Sequence, residues 1–80
     1  MALCKAEHLV YRSDDAIFDQ DIKPGTRAPR AGIYRCMGCG REVAVAQIDP
    51  LPGPRHHAHD RPWQGAVRWR LIVYADHRPS

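Results

Sequence analysis

Two short stretches of this chain carry the side chains of a metal site at the spacing a metal site needs. In Tyr34-Arg35-Cys36-Met37-Gly38-Cys39-Gly40-Arg41, two residues separate Cys36 from Cys39. Sixteen residues separate Cys39 from His56, and His56-His57-Ala58-His59 repeats the two-residue gap. The pattern C-x2-C-x16-H-x2-H is that of a two-knuckle zinc site with histidine in its second half. A turn with two intervening residues brings two thiolates to about 2.3 Å from one ion. Glycine at 38 and 40 is expected to supply positive φ and to expose backbone N–H groups to the sulfurs. The expected ligands are Cys36, Cys39, His56 and His59, with His57 as the alternate to His56. Two thiolates and two neutral imidazoles leave Zn²⁺ formally uncharged, which lowers the cost of burying it. Asp60 is placed to accept a ligand's second ring N–H and fix its tautomer.

Four ligands point to a closed, structural ion, since catalytic zinc commonly keeps one position open. Two other readings compete. One is a solvated histidine-rich loop beside two unrelated cysteines. The other is a thiol redox pair, but such C-x-x-C motifs open a helix in a βαβ setting. Here strand-forming residues stand on both sides.

The remaining candidates concern partners. Residues 1–21 carry two basic and five acidic side chains, net −3, and residues 22–80 carry ten basic and four acidic, net +6. Arg68 and Arg70, with Arg35 and Arg41 alongside, form a basic strip suited to phosphates. Trp63, beside Arg61 and Pro62, either stacks on a base or a partner or covers the metal loop. Nucleic acid is the first expected partner. A protein-interaction adaptor using the three-proline loop and Trp63 is the alternative. Surface charge that only keeps the protein soluble explains the same balance.

The elements that must hold these groups are short. Eighty residues make one small domain with a modest core. Three cysteines exclude a complete disulfide framework. The start resembles no secretory signal, and the longest apolar run, Leu71 to Ala75, is too short to span a bilayer. A reducing, cytoplasmic setting with thiols available to metal is therefore expected. Cys4, 32 positions before Cys36, is a spare thiol.

Ala6 to Arg12 is a short strand or one helical turn. Ser13 caps a helix of about two turns carrying Ile17, Phe18 and Ile22, which Pro24-Gly25 ends. Residues 23–32 are a connector leading into the strand Ile33-Tyr34-Arg35. Glu42 to Ile48 is a second strand, with Val43 and Val45 on one face and Ala44 and Ala46 on the other. Asp49 to Pro54 holds three prolines and is a loop. Gln64 to Asp76 is the best strand, with Val67, Trp69, Leu71 and Val73 alternating with Arg68, Arg70, Ile72 and Tyr74. Trp69 belongs to the core.

With Tyr34-Arg35-Cys36-Met37-Gly38-Cys39-Gly40, the paired histidines and the terminal strand in place, Gly32 to Asp76 resembles a zinc β-ribbon of the rubredoxin-like knuckle superfamily. The chain departs from it in having histidines where the second pair of cysteines usually stands. Lys23-Pro24-Gly25-Thr26-Arg27-Ala28-Pro29-Arg30-Ala31-Gly32-Ile33-Tyr34, with the C-x2-C-G and H-H-x-H motifs, also resembles a family of short bacterial proteins. The resemblance implies a zinc-binding fold without implying one activity. The expected protein is a small mainly-β domain, a zinc-ribbon-like antiparallel sheet of three to four strands over residues 23–80. An irregular acidic arm over residues 1–22 precedes it. The expected function is a non-enzymatic module with structural zinc.

Overall fold

β-branched and aromatic residues form three strands: β1 (Gly32–Cys36), β2 (Glu42–Val45) and β3 (Trp69–Tyr74). The computed structural model, which describes residues 1–59 and 61–74, arranges them as an open antiparallel sheet in the order β2-β1-β3. The small mainly-β class is as expected. No α-helix occurs among the described residues; single 3-10 turns stand at Glu7–Leu9, Ala16–Asp19 and Pro62–Gln64. The two-turn helix expected after Ser13 is one 3-10 turn, capped by Asp15, whose carboxylate accepts from the Ile17 N–H at 3.0 Å. The expected roles of Asp60 and of the tail beyond Tyr74 lie outside the described residues.

Register decides which side chains are inside. Tyr34 pairs with Val43 on one side and Leu71 on the other, and Cys36 pairs with Trp69. Directly opposed residues share a face, so one face gathers Tyr34, Cys36, Val43, Val45, Trp69 and Leu71. Ile22, Ala28, Leu51 and Val67 complete the core, with Ile17, Phe18 and Tyr74 packed against it. Val73 was expected on this face but is 37% exposed. Ile33 pairs with Val73 while Tyr34 pairs with Leu71, so Ile72 is an extra residue in β3. Beyond this bulge the alternation inverts, turning Val73 outward and Tyr74 inward.

Both long strands expected from the sequence are shorter. β2 stops at Val45 because a turn follows, closed by Asp49 N–H to the Ala46 carbonyl at 3.2 Å, with Ile48 at φ 65°. β3 begins only at Trp69 because Gly65 sits at φ 67°, outside any strand conformation. The connector and the proline loop, read separately as loops, pair with each other. Ala28 N–H donates to the Asp49 carbonyl at 2.8 Å, Leu51 N–H to Thr26 at 2.8 Å, and Ile48 N–H to Ala28 at 2.9 Å. This seats Leu51 in the core, and the Trp69 indole N–H donates to the Pro52 carbonyl at 3.1 Å.

The N-terminal region reaches the body through Ile22. It exchanges backbone hydrogen bonds with Trp69 at 2.7 and 2.9 Å, and Asp21 accepts from Arg70 at 2.7 and 3.0 Å.

Candidate metal centre

Cys36 ends β1 and Cys39 lies in the turn to β2. Three backbone bonds fix that turn: Cys36 N–H to Arg41, Gly40 N–H to Cys36, and Met37 N–H to Arg68, at 2.7, 2.8 and 2.9 Å. Gly40 takes φ 84°, as expected of a knuckle glycine. Gly38 departs from expectation in its backbone conformation. Its φ is not positive; it is needed for space, because a Cβ there would run into the His59 ring and approach the Gln64 carbonyl oxygen to 2.6 Å.

Among the described residues, the donor atoms of Cys36, Cys39, His57 and His59 all lie within 4.8 Å of one another. Cys36 Sγ stands 3.3 Å from His59 Nε2, Cys39 Sγ 3.2 Å from His57 Nε2, and the two Nε2 atoms 3.2 Å apart. A tetrahedral zinc ion holds two nitrogens about 3.4 Å apart and a nitrogen and a sulfur about 3.6 Å apart. The observed spacings match within a few tenths of an ångström, so the residues fit such an ion.

The geometry groups His57 with His59 and leaves the first-choice His56 outside. A turn does occur in this loop, but early: His56 N–H closes it on the Gly53 carbonyl at 3.1 Å. The turn ends at His56, and beyond it the Nε2 atoms of His57 and His59 stand 3.2 Å apart. The mirrored two-residue gap would have needed the turn between the histidines. Nothing in the spacing alone distinguished the two cases.

The chemistry around the donors favours cation binding. Burial pushes the Cys36 thiol up, but the N–H groups of Arg68, Gly38 and Cys39 and the His57 imidazole outweigh it, lowering the thiol to about 6. The sulfur is therefore held ready as thiolate. The Gly65 carbonyl, 2.7 Å from His59 Nδ1, raises the His59 imidazole above its ordinary value; burial opposes this and Cys36 adds to it. A carbonyl can only accept, so His59 Nδ1 carries a proton, and in the neutral ring Nε2 presents its lone pair to the sulfur side. Gly65 thus supplies tautomer control for His59. The rings of His56 and His57 meet Trp69 edge-on at 5.9 and 5.8 Å, so the core indole backs the loop. Cys36 is buried and Cys39 exposed; Cys4 is exposed and outside the cluster.

The proposed basic strip is largely engaged internally. Arg35 and Arg70 stand directly opposed, each beside a carboxylate: Glu42 at 4.0 Å from Arg35, and Asp21 at 2.7 Å from Arg70. Arg68 donates to the Gln64 and Ala66 carbonyls, both at 3.1 Å. Arg41 is exposed beside the metal cluster. Trp63 is 78% exposed, with the Arg61 guanidinium 5.7 Å from its ring centre. No described helix is long and apolar enough to cross a membrane.

No family model matches the chain, and no solved structure does. A similar protein is Protein L of Escherichia coli, 41% identical over 64 residues, which span 80% of this chain and 71% of that one.

Proposed function

We propose that this chain, which belongs to the family of Protein L of Escherichia coli, is a small non-enzymatic binding module fastened by one structural zinc ion. The observation that supports this reading is the convergence of Cys36, Cys39, His57 and His59. Two thiolates and two imidazoles with donor atoms within 4.8 Å of one another suit Zn²⁺ better than the oxygen-seeking Mg²⁺ or Ca²⁺. Four protein donors fill the coordination, leaving no position for substrate. Bound there, zinc would tie the β1–β2 turn to the loop that leads into β3.

Metal analysis of the purified protein is expected to find about one zinc per chain. Structural zinc contributes on the order of 10 kcal/mol of apparent binding energy in small fingers. A strong chelator should therefore abolish the cooperative thermal transition. A melt unchanged by chelator would refute the reading.

For the partner, nucleic acid is the reading favoured by the net charge of +3 and by exposed Arg41. Affinity for a short duplex should fall linearly with the logarithm of salt. Salt-insensitive capture of a protein would favour the adaptor reading instead.

A further inference from the structure

We infer that His56 is a positioning residue for the metal centre, accepting the Nδ1–H of His57 and so turning the His57 Nε2 lone pair toward the cluster. This rests on the metal reading above. His56 Nδ1 and His57 Nδ1 lie 2.9 Å apart, a hydrogen-bond distance that requires one nitrogen to donate and the other to accept. The direction follows from the opposite side of the His57 ring. There Nε2 faces Cys39 Sγ and His59 Nε2, both at 3.2 Å.

In the neutral ring that a metal ligand must be, His59 Nε2 has no proton, because the Gly65 carbonyl holds the single one on Nδ1. Without a cation, a proton on either Nε2 keeps two lone pairs from facing each other. With a cation, both Nε2 atoms must be free of protons, and the His57 proton moves to Nδ1. That proton needs an acceptor, and the atom present is His56 Nδ1, which leaves the His56 proton on Nε2. The three histidines of His56-His57-Ala58-His59 thus divide into one orienting residue and two ligands. The two ligands use parallel devices, a backbone carbonyl behind His59 and an imidazole behind His57. Both the His56 and His57 rings pack edge-to-face with Trp69, at 5.9 and 5.8 Å between ring centres.

The test uses the full chain and two substitutions. His56→Leu keeps an apolar side chain against Trp69 and offers no acceptor. His56→Asn places an amide oxygen where Nδ1 stands. Zinc affinity is read by competition with a chelator of known strength, and the ligand set by the visible spectrum of the cobalt(II) form. His56→Leu is expected to bind zinc about 10- to 100-fold more weakly, as loss of a ligand's hydrogen-bond partner does elsewhere, and His56→Asn to stay within about threefold of the native chain. The cobalt spectrum should be the same in all three. Native affinity in His56→Leu would overturn the inference, as would a changed cobalt spectrum, which would make His56 a ligand. Long-range proton–nitrogen NMR of the zinc-loaded native chain gives an independent readout: the His56 proton is expected on Nε2, and finding it on Nδ1 would also overturn the assignment. A native chain that takes up neither zinc nor cobalt would instead refute the metal reading itself.

Discussion

Gly38 and Gly40 lie in the same turn, yet different forces keep each a glycine. At Gly38 a methyl group would strike the His59 ring, and the Gln64 carbonyl oxygen 2.6 Å away closes the other direction. At Gly40 the backbone is left-handed, φ 84°, and the nearest atom to an added Cβ is the flexible Arg35 guanidinium at 3.1 Å. The two alanine variants should therefore fail differently. Gly38→Ala is expected to weaken zinc by about tenfold or more, because it displaces a ligand. Gly40→Ala should cost about 1–2 kcal/mol of stability, the usual penalty for a side chain in that conformation, with a smaller change in affinity. Equal zinc affinity in the two variants would contradict this division.

Tyr34 shows a second residue-scale effect. Its hydroxyl donates to the Arg30 carbonyl at 2.6 Å and accepts the Arg30 N–H at 3.2 Å. Burial, opposed by these Arg30 contacts, raises the phenol above its ordinary 10.0. The folded state thus favours the neutral phenol. That contribution is fully present below pH 10 and is lost as pH rises through the raised folded value. Tyr34→Phe should lose about 1–2 kcal/mol at neutral pH. Its melting temperature should also decline less steeply above pH 10 than the native one. Parallel declines would assign the alkaline loss to other groups.

At the scale of elements, the connector and the proline loop form a second layer of pairing under the sheet. Ile48 marks its strain. It is 65% exposed, stands at φ 65°, and is held there by its N–H to Ala28 and by its carbonyl, which accepts from Arg27 at 3.1 Å. A β-branched residue in this region is a rare outlier, and asparagine tolerates it better. Ile48→Asn should raise stability by about 1 kcal/mol, the lower end of the left-handed penalty. A lower melting temperature would show that the isoleucine side chain contributes a contact outweighing the strain.

This layer also shows where sequence reasoning stops. The strand faces were legible because period-two alternation is local: Val43 and Val45 inside, Trp69 and Leu71 inside. The inversion at Val73 was not, because a bulge is a property of two strands in register. Gln47 and Ile48 fit the β2 alternation, and only the turn to Asp49 removes them from the strand. The cysteine pair was legible for the same local reason. The histidine pair was ambiguous because the choice depends on whether the loop turns before His56 or after it. The engagement of Arg70 could not be foreseen, since Asp21 is 49 positions away.

For the whole molecule, the buried core is small, and the side chains that fill it are drawn from every part of the chain from Ile22 to Leu71. The segments that supply Cys36 and His59 meet the core at Trp69, so an ion at that junction would couple the hairpin, the loop and β3 into one cooperative unit. Acidification should expose this coupling. In the metal-free chain the two shifted ligands act with opposite sign. The lowered Cys36 thiol contributes stability that is complete above its ordinary value of 9.0 and is lost as pH falls through about 6. The raised His59 imidazole contributes stability complete below its ordinary 6.5 and lost as pH rises through its raised value. Zinc removes the opposition, because it requires the thiolate and the neutral imidazole together, and every proton on either site competes with it. Below about pH 6 both groups take up protons, and zinc affinity should fall steeply with each further step of acid. The zinc-loaded chain should therefore release metal and lose its cooperative melt over the same interval. Zinc release monitored by a colorimetric indicator, alongside circular dichroism, checks both halves. Metal leaving well before the fold would mean that the ion occupies the cluster without holding the sheet and its loops together.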